Sequence, residues 1–437
     1  MATVTVDQAK LVLNSFAAIF QNNLISKDLV TWRKFDGEMN DRNGLTVVEQ
    51  VVPDYTTTFT DSAVNDLSAG VQDTIFGSEQ FQLRNVVGSS MGWGDFVKIR
   101  DIGAARESEA LKAAALRLAH DIDAYILGFA ANASNNWLGD GNSAVSTWDD
   151  LASGYTRLKE EGIDSMDMRA VLSYGDKQAL GRDIVETNTT GNLDGMGIYR
   201  EGFTGSVAGF STLFTQQLPA LTVGTRVATG VSLTNGVTAV DYADVAISGA
   251  PGQYKTQLIN IDGQAGAVTL VDGEVFTIDG VYAYDNRAKK RLDHLQQFRV
   301  IGDHTAVDLD GAGAGTAYGF NNVRIYPAII DSGPHKTVDY DGGTLDNLAI
   351  THLGAAGATL HPRFLADKSS IVVNTADLIM PATGTAQRKS LTKVPLSVRM
   401  WQDSVFATGE HRVRFDVAVQ PNVTADGRRR IVRINGG

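Results

Sequence analysis

Between Thr222 and Tyr340 the chain changes character: glycine, threonine, valine and aspartate dominate, and β-prone runs recur between turn signals. The runs Gln264–Val271, Glu274–Ile278, Gly280–Tyr284 and Val323–Pro327 follow one another at roughly 8–12-residue spacing, the signature of an all-β sandwich or barrel. Mixed helical and strand-forming sequence lies on both sides of this block. A segment of that kind, embedded in a chain of another class, reads as an inserted domain. The preceding stretch Gly205–Thr222 has the form of a core strand and turn that hand over to the insert. The fold class expected is therefore α+β with an inserted all-β barrel domain at 222–340.

Ahead of the insert, the strongest helix signal covers residues 108–133. Leu111, Ala115, Leu118, Ile122, Tyr125 and Phe129 recur at alternating spacings of four and three, giving one apolar seam. Arg106, Glu107, Glu109, Lys112, Arg117 and Asp121 decorate it. At about 1.5 Å per residue it is roughly 40 Å long, too long for a small domain and too short for a coiled coil, so it reads as a central core helix. A second helix is expected from Thr147 to Glu161, with Trp148, Leu151, Tyr155 and Leu158 on one face and Gly162 as its stop. A strand at Met168–Tyr174 and a short helix at Gly175–Asp183 follow. The N-terminal helix, about Asp7 to Asn23, places Leu13, Phe16 and Phe20 on one side, with Asp7 able to cap it. It can dock on its own domain or serve as an arm on a neighbouring subunit. Residues 45–102 alternate β-prone runs, among them Leu45–Val52, Tyr55–Thr60, Gln80–Arg84 and Phe96–Arg100, with polar turns, as in long hairpins. After residue 340, strands are expected at Ser370–Asn374, Ser397–Trp401 and Val413–Val419. The basic run Arg428–Arg433 reads as a strand at an exposed edge.

At 437 residues the chain can hold two or three domains, and 43% hydrophobic with 20% charged residues is ordinary for a folded protein. It has no cysteine, which removes disulfides, thiolate metal sites and thiol nucleophiles together. A formal charge of −12 argues against a nucleic-acid-binding protein, whose affinity rests on a basic face. No stretch approaches the ~20 apolar residues of a membrane span. The run Leu11–Phe20 is broken by Asn14 and Ser15 and lacks a basic leader, so no secretory signal is expected. The pattern Asn-x-Ser/Thr at Asn132, Asn188 and Asn422 then carries little meaning.

The motifs that would carry chemistry are missing or degenerate. There is no phosphate-binding Gly-x-x-x-x-Gly-Lys loop, no His-Glu-x-x-His and no Gly-x-Gly-x-x-Gly. One Gly-x-Ser-x-Gly match, Gly88–Gly92, runs into Trp93-Gly-Asp and not into a helix, so it reads as a hairpin turn and not a nucleophile elbow. Asp308–Gly315 begins like a calcium loop but lacks the glutamate at its twelfth position and reads as a flexible turn. The doublets Asp293-His294 and Asp303-His304 place neighbours on opposite faces of a strand, which suits a metal poorly. The cluster Arg287–Arg291 is too small to make a basic face and reads as a solvated loop. No catalytic, cofactor-binding or metal-ligating residue is assigned, and no cofactor is expected.

Taken together, Val207-Ala-Gly-Phe210 followed by Leu218-Pro-Ala-Leu-Thr222, Gln80-Phe-Gln-Leu-Arg84, the helix bearing Ala115, Leu116, Leu118 and Ala119, and Phe406-Ala-Thr-Gly409 resemble the P22-like bacteriophage coat proteins. The barrel strands and the remainder of 45–102 follow that family loosely. The resemblance implies the HK97-type capsid fold. Its parts would be an N-terminal arm (1–44), an extended hairpin loop (45–104), a peripheral and axial core with the spine helix (105–221), the inserted β-barrel (222–340) and a core return (341–437). It also implies a non-enzymatic major capsid protein that self-assembles into pentamers and hexamers of an icosahedral head around double-stranded DNA. The partners implied are other copies of the chain, a scaffolding protein, a portal and weakly contacted DNA, with no membrane. The chain would reside in the virion after assembly in the host cytoplasm. Two other readings fit the composition: a β-rich polysaccharide hydrolase, for which 50 acidic residues offer no singled-out carboxylate pair, and a phage tail or decoration protein.

Overall fold

A computed structural model describes residues 6–39, 46–51, 77–83, 86–93, 109–139, 143–163, 167–187, 206–227, 230–234, 255–285, 288–309, 318–333, 336–340, 344–381, 385–405, 410–423 and 430–435. The Tyr55–Thr60 and Phe96–Arg100 runs, and Phe406–Gly409, lie outside these residues. The chain forms two compact units, one drawn from 1–47, 82–129 and 368–424, the other from 48–81, 130–367 and 425–437. Strands Thr46–Val51 and Gly77–Gln82 form a separate two-stranded ribbon.

The first unit is built on a six-stranded sheet. Thr31–Met39 runs parallel to Ile371–Leu378, which pairs with the long strand Glu410–Val423. That strand also pairs with Ser397–Val405 and with Val86–Trp93, and Thr385–Ser390 closes the far side. In Glu410–Val423 the residues alternate from Arg412 to Phe415, with Val413 and Phe415 buried while Arg412 and Arg414 are exposed, and from Asp416 to Val419 both faces are buried. The N-terminal helix Val6–Asn23 lays Leu13, Phe16 and Phe20 into this core. The Phe16 ring stacks on Phe415, with centroids 3.8 Å apart and planes within 4°. Gln21 Oε1 accepts from Thr392 N at 3.2 Å, and Lys393 Nζ donates to Asn22 Oδ1 at 2.9 Å. Of the two readings open for this helix, it docks on its own chain.

Helix Glu109–Ala133 supplies the rest of that core through residue 129. Leu111, Ala115, Leu118 and Ile122 are buried as their spacing predicts, but in the later turns Ile126, Leu127 and Ala130 are buried while Tyr125 and Phe129 are half-exposed. The reason is geometric. A straight helix turns every 3.6 residues, so a stripe drawn at 3.5 drifts around it by about 20° per heptad. Asp123, fully buried, accepts from Ile25 N (2.9 Å) and Ser26 N (3.0 Å) and so caps the short turn Ser26–Leu29. Burial pushes its carboxyl up, and those amides pull it back in part.

The second unit contains a sheet and a barrel. The sheet order is Asn136–Leu138, Ile431–Ile434, Arg363–Asp367, Met168–Leu172, Phe210–Phe214 and Ser206–Val207. Helix Trp148–Glu160 opens with a capping box between Thr147 and Asp150 and buries Leu151 and Leu158 against this sheet. Helix Tyr174–Thr187 is fixed by the buried Asp176, which accepts from Ser173 N (2.8 Å), Val145 N (3.1 Å) and Arg363 Nε (2.8 Å). Val207 and Phe210 pair across a two-residue turn with Ala208 at φ 47° and Gly209 at φ 85°. Both central residues having positive φ is what matches a tight turn to strand twist.

The barrel strands run Ser232–Leu233, Gln257–Gln264, Tyr318–Tyr326, Lys290–Ile301 and Val275–Asp285. Past residue 340 the ladder continues, since Ile350–His352 pairs with Val275–Asp285 and Ala349 bridges back to Ser232. The ring is thereby closed, which leaves no open edge along that path. Its core is its own: Leu233, Ile259, Ile261, Phe276, Phe298, Val300, Phe320, Val323 and Ile325 are buried together.

Candidate functional surfaces

Most of the sequence motifs with chemical potential fall on described residues and take a structural role there. Gly88–Gly92 is not a turn but the middle of strand Val86–Trp93, paired with Glu410–Val423 in continuous register from Val86 to Trp93. Gly88 sits opposite Asp416, and a Cβ there would collide with the Asp416 carboxylate, which is buried and held by Arg399 (2.6 Å). Glycine is thus required by close approach and not by a bend. His294 Nδ1 lies 3.4 Å from Glu160 Oε2, and His304 Nε2 faces Ile301 O at 3.2 Å. No group of three metal-capable side chains occurs among the described residues. Of Arg287–Arg291, the described part ends in strand Lys290–Ile301, with Arg291 over the Tyr282 ring at 3.5 Å. The calcium-like motif lies outside the described residues from Asp310 onward. The basic run Arg428–Arg433 corrects an expectation: Ile431–Ile434 is not an exposed edge but an inner strand between Asn136–Leu138 and Arg363–Asp367, and Arg433 is fully buried.

What the fold builds instead is a neck where the chain enters and leaves the barrel. Leu221–Thr222 and Thr359–Leu360 pair antiparallel, and Val223 N donates to Ala358 O at 2.9 Å. Just inside, Arg226 and Glu274 form an ion pair, Nε to Oε2 at 2.6 Å, with side chains 0% and 1% exposed. Glu274 Oε1 also accepts from Gly224 N (2.8 Å) and Val271 N (2.7 Å), while Arg226 Nη2 donates to Leu353 O (2.9 Å) and Gly354 O (3.1 Å). Burial pushes the Arg226 guanidinium down and Glu274 restores it in part. One pair therefore joins the incoming segment, a strand end and the outgoing segment. Such a pair adds little net stability but fixes geometry, since removing one partner costs about 3–5 kcal/mol. His352 packs on Phe276 beside it and is pushed down to about 3 by burial and by the Arg226 charge. Sequence reasoning missed this neck because its members stand far apart in the chain and no motif joins them.

A second tie links the barrel to the sheet. Gln297 Oε1 accepts from Trp137 N at 2.6 Å and its Nε2 donates to Trp137 O at 2.8 Å, so one side-chain amide covers the edge of strand Asn136–Leu138 in place of another strand. Outward, two large aromatics stand free at the starts of the sheet's helices: Trp148 is 51% and Tyr174 55% exposed. Trp148 had been expected on the packed face. It occupies the first helical position, one turn before Leu151, the first buried residue of the stripe. Leu258 and Val307 are exposed on the barrel. Isolated exposed apolar side chains are common, but large aromatics of this kind are the usual material of protein contacts. Among the described residues no helix is long and apolar enough to cross a membrane.

Among the described residues the buried polar groups hold segments together, and a few large apolar side chains, Trp148 and Tyr174 among them, are left on the surface. The sequence matches the family described as "P22 coat protein - gene protein 5" over residues 1–425, and the chain belongs to that family. It is a major capsid protein of a phage head, a structural protein of the virion that associates with its own kind, and not an enzyme. The hydrolase and the tail or decoration readings fall with that match. No curated protein matches the sequence. Among solved structures, one of Mycobacterium phage Che8 shares 11% identity, covering 90% of this chain and 86% of that one at a TM-score of 0.41. The capsid structure of the cyanophage P-SCSP1u shares 10%, covering 94% and 86% at 0.41. The mature capsid asymmetric unit of bacteriophage PhiM1 shares 7%, covering 93% and 85% at 0.40.

Proposed function

We propose that this chain forms the pentamers and hexamers of an icosahedral head that encloses double-stranded DNA, in the HK97-type organisation that membership of the coat family implies. In that organisation the helix Glu109–Ala133 is the spine, and the sheet on which the helices starting at Trp148 and Tyr174 pack is the axial part. The hairpin material of 45–104 reaches between subunits, and the barrel is the inserted domain. The observation that carries this reading is the family match, which spans residues 1–425. The net charge of −12 supports a shell that contacts its DNA weakly, because phosphate binding needs cations that this chain lacks in excess. A scaffolding protein and a portal complete the reading, with assembly in the host cytoplasm. Co-expression with the genomic neighbours, followed by size-exclusion chromatography and electron microscopy, tests it. Megadalton closed shells, or free pentamers and hexamers, are expected. A small oligomer under every condition would contradict it.

A further inference from the structure

Arg433 sits on the inner strand Ile431–Ile434, beside Trp137 in register and with its guanidinium over that ring at 5.3 Å. Its side chain is 0% exposed, and its one hydrogen bond is from Nη2 to Ser134 O at 2.7 Å. Nε and Nη1 are buried without a partner. The carboxylates nearby are committed elsewhere. Glu274 serves Arg226 and two backbone amides, and Asp272 serves Arg299 (3.2 Å) and Gly302 N (3.0 Å). Among the described residues, three arginines thus share these two carboxylates, and the one left without a paired carboxylate, Arg433, is the most deeply buried of the three. Burial, then repulsion from Arg299, pushes the Arg433 guanidinium down to about 9, with Asp272 and Glu274 opposing. Next to it in the sheet two further buried donors are without partners: Trp137 Nε1, on the neighbouring strand, and Asn435 Nδ2, two residues on and so on the same face, with Asn435 Oδ1 unpartnered as well.

We propose that Arg433 is the centre of a buried site for one small monovalent anion, of the size and charge of a halide, at the root of the barrel. A buried cation without a counter-charge costs several kcal/mol, and either unpartnered N–H, at Nε or at Nη1, together with the second hydrogen of Nη2, offers an anion the paired donors of a guanidinium edge. The surplus is a single charge, so sulfate or phosphate would reverse the imbalance and not cancel it. The site is enclosed, so bulky anions are excluded by size.

Thermal melting of the full-length chain in chloride, bromide and gluconate at matched ionic strength reads this directly. Chloride and bromide should raise the melting temperature by about 2–4 °C over gluconate, which is too large to enter. Arg433→Met keeps the stem and removes the charge, and its melting should no longer distinguish the anions. Should that variant fail to fold, bromide soaked into crystals of the wild-type chain must give an anomalous peak in contact with Nε or with Nη1 of Arg433. Equal melting in chloride and gluconate, a chloride effect that survives in Arg433→Met, or soaked crystals without that peak would each overturn the site.

Discussion

The barrel and the sheet of the first unit solve the same problem in opposite ways. Every core residue of the barrel comes from a contiguous stretch, Val231 to Ile350, and its ladder closes on itself. The first sheet takes its strands from three distant stretches: Thr31–Met39 beside Ile371–Leu378, and Val86–Trp93 beside Glu410–Val423, with Phe16 stacked on Phe415. Loop closure entropy must be met before such distant pairings stabilise anything, whereas the barrel closes shorter loops. The difference teaches where damage should spread. Injury to either end of the chain should reach the sheet, and should leave the barrel intact.

The harshest way to break the contrast is a charge in the sheet's core. Leu118→Asp places a carboxylate at a site 1% exposed, and a loss of about 4 kcal/mol or more is expected. Soluble protein that assembles normally would contradict the packing described. Next in size is Phe16→Ala, which removes the ring stacked on Phe415 and should lower stability by about 3 kcal/mol in chemical denaturation. An unchanged midpoint would mean that the N-terminal helix is an arm and not part of this core.

The barrel's neck has its own signature, in pH. His352 is held near 3 in the folded chain against an ordinary 6.5, so the unfolded chain takes up the proton first. Stability from this group is complete above about 6.5 and is lost as pH falls towards 3. At pH 5 the loss should be about 1–2 kcal/mol, allowing for partial solvent access. His352→Gln should flatten that slope. A wild-type profile level between pH 7 and 5 would show that the ring is not enclosed as described.

Much of this was legible in the chain. The capped helix Trp148–Glu160 and the barrel strands follow from local spacing, cap chemistry and turn residues, all of which act over a few positions. The docking of Phe16 was not legible, because its partner lies at the other end of the chain. Gly88–Gly92 has the composition of a turn, and only the buried Asp416 across the ladder explains why glycine stands in a strand. Arg433 misled for a related reason. A basic run reads as solvated, yet the same sequence alternates, and the sheet around it decides which side is inside. The neck pair Arg226–Glu274 carries no local pattern at all.

The self-contained barrel is the claim on which the comparison stands, and excision tests it most directly. Residues 221–360 expressed alone should give β-type circular dichroism and one cooperative thermal transition. A disordered spectrum, or melting without cooperativity, would show that the barrel borrows its stability from the rest of the chain.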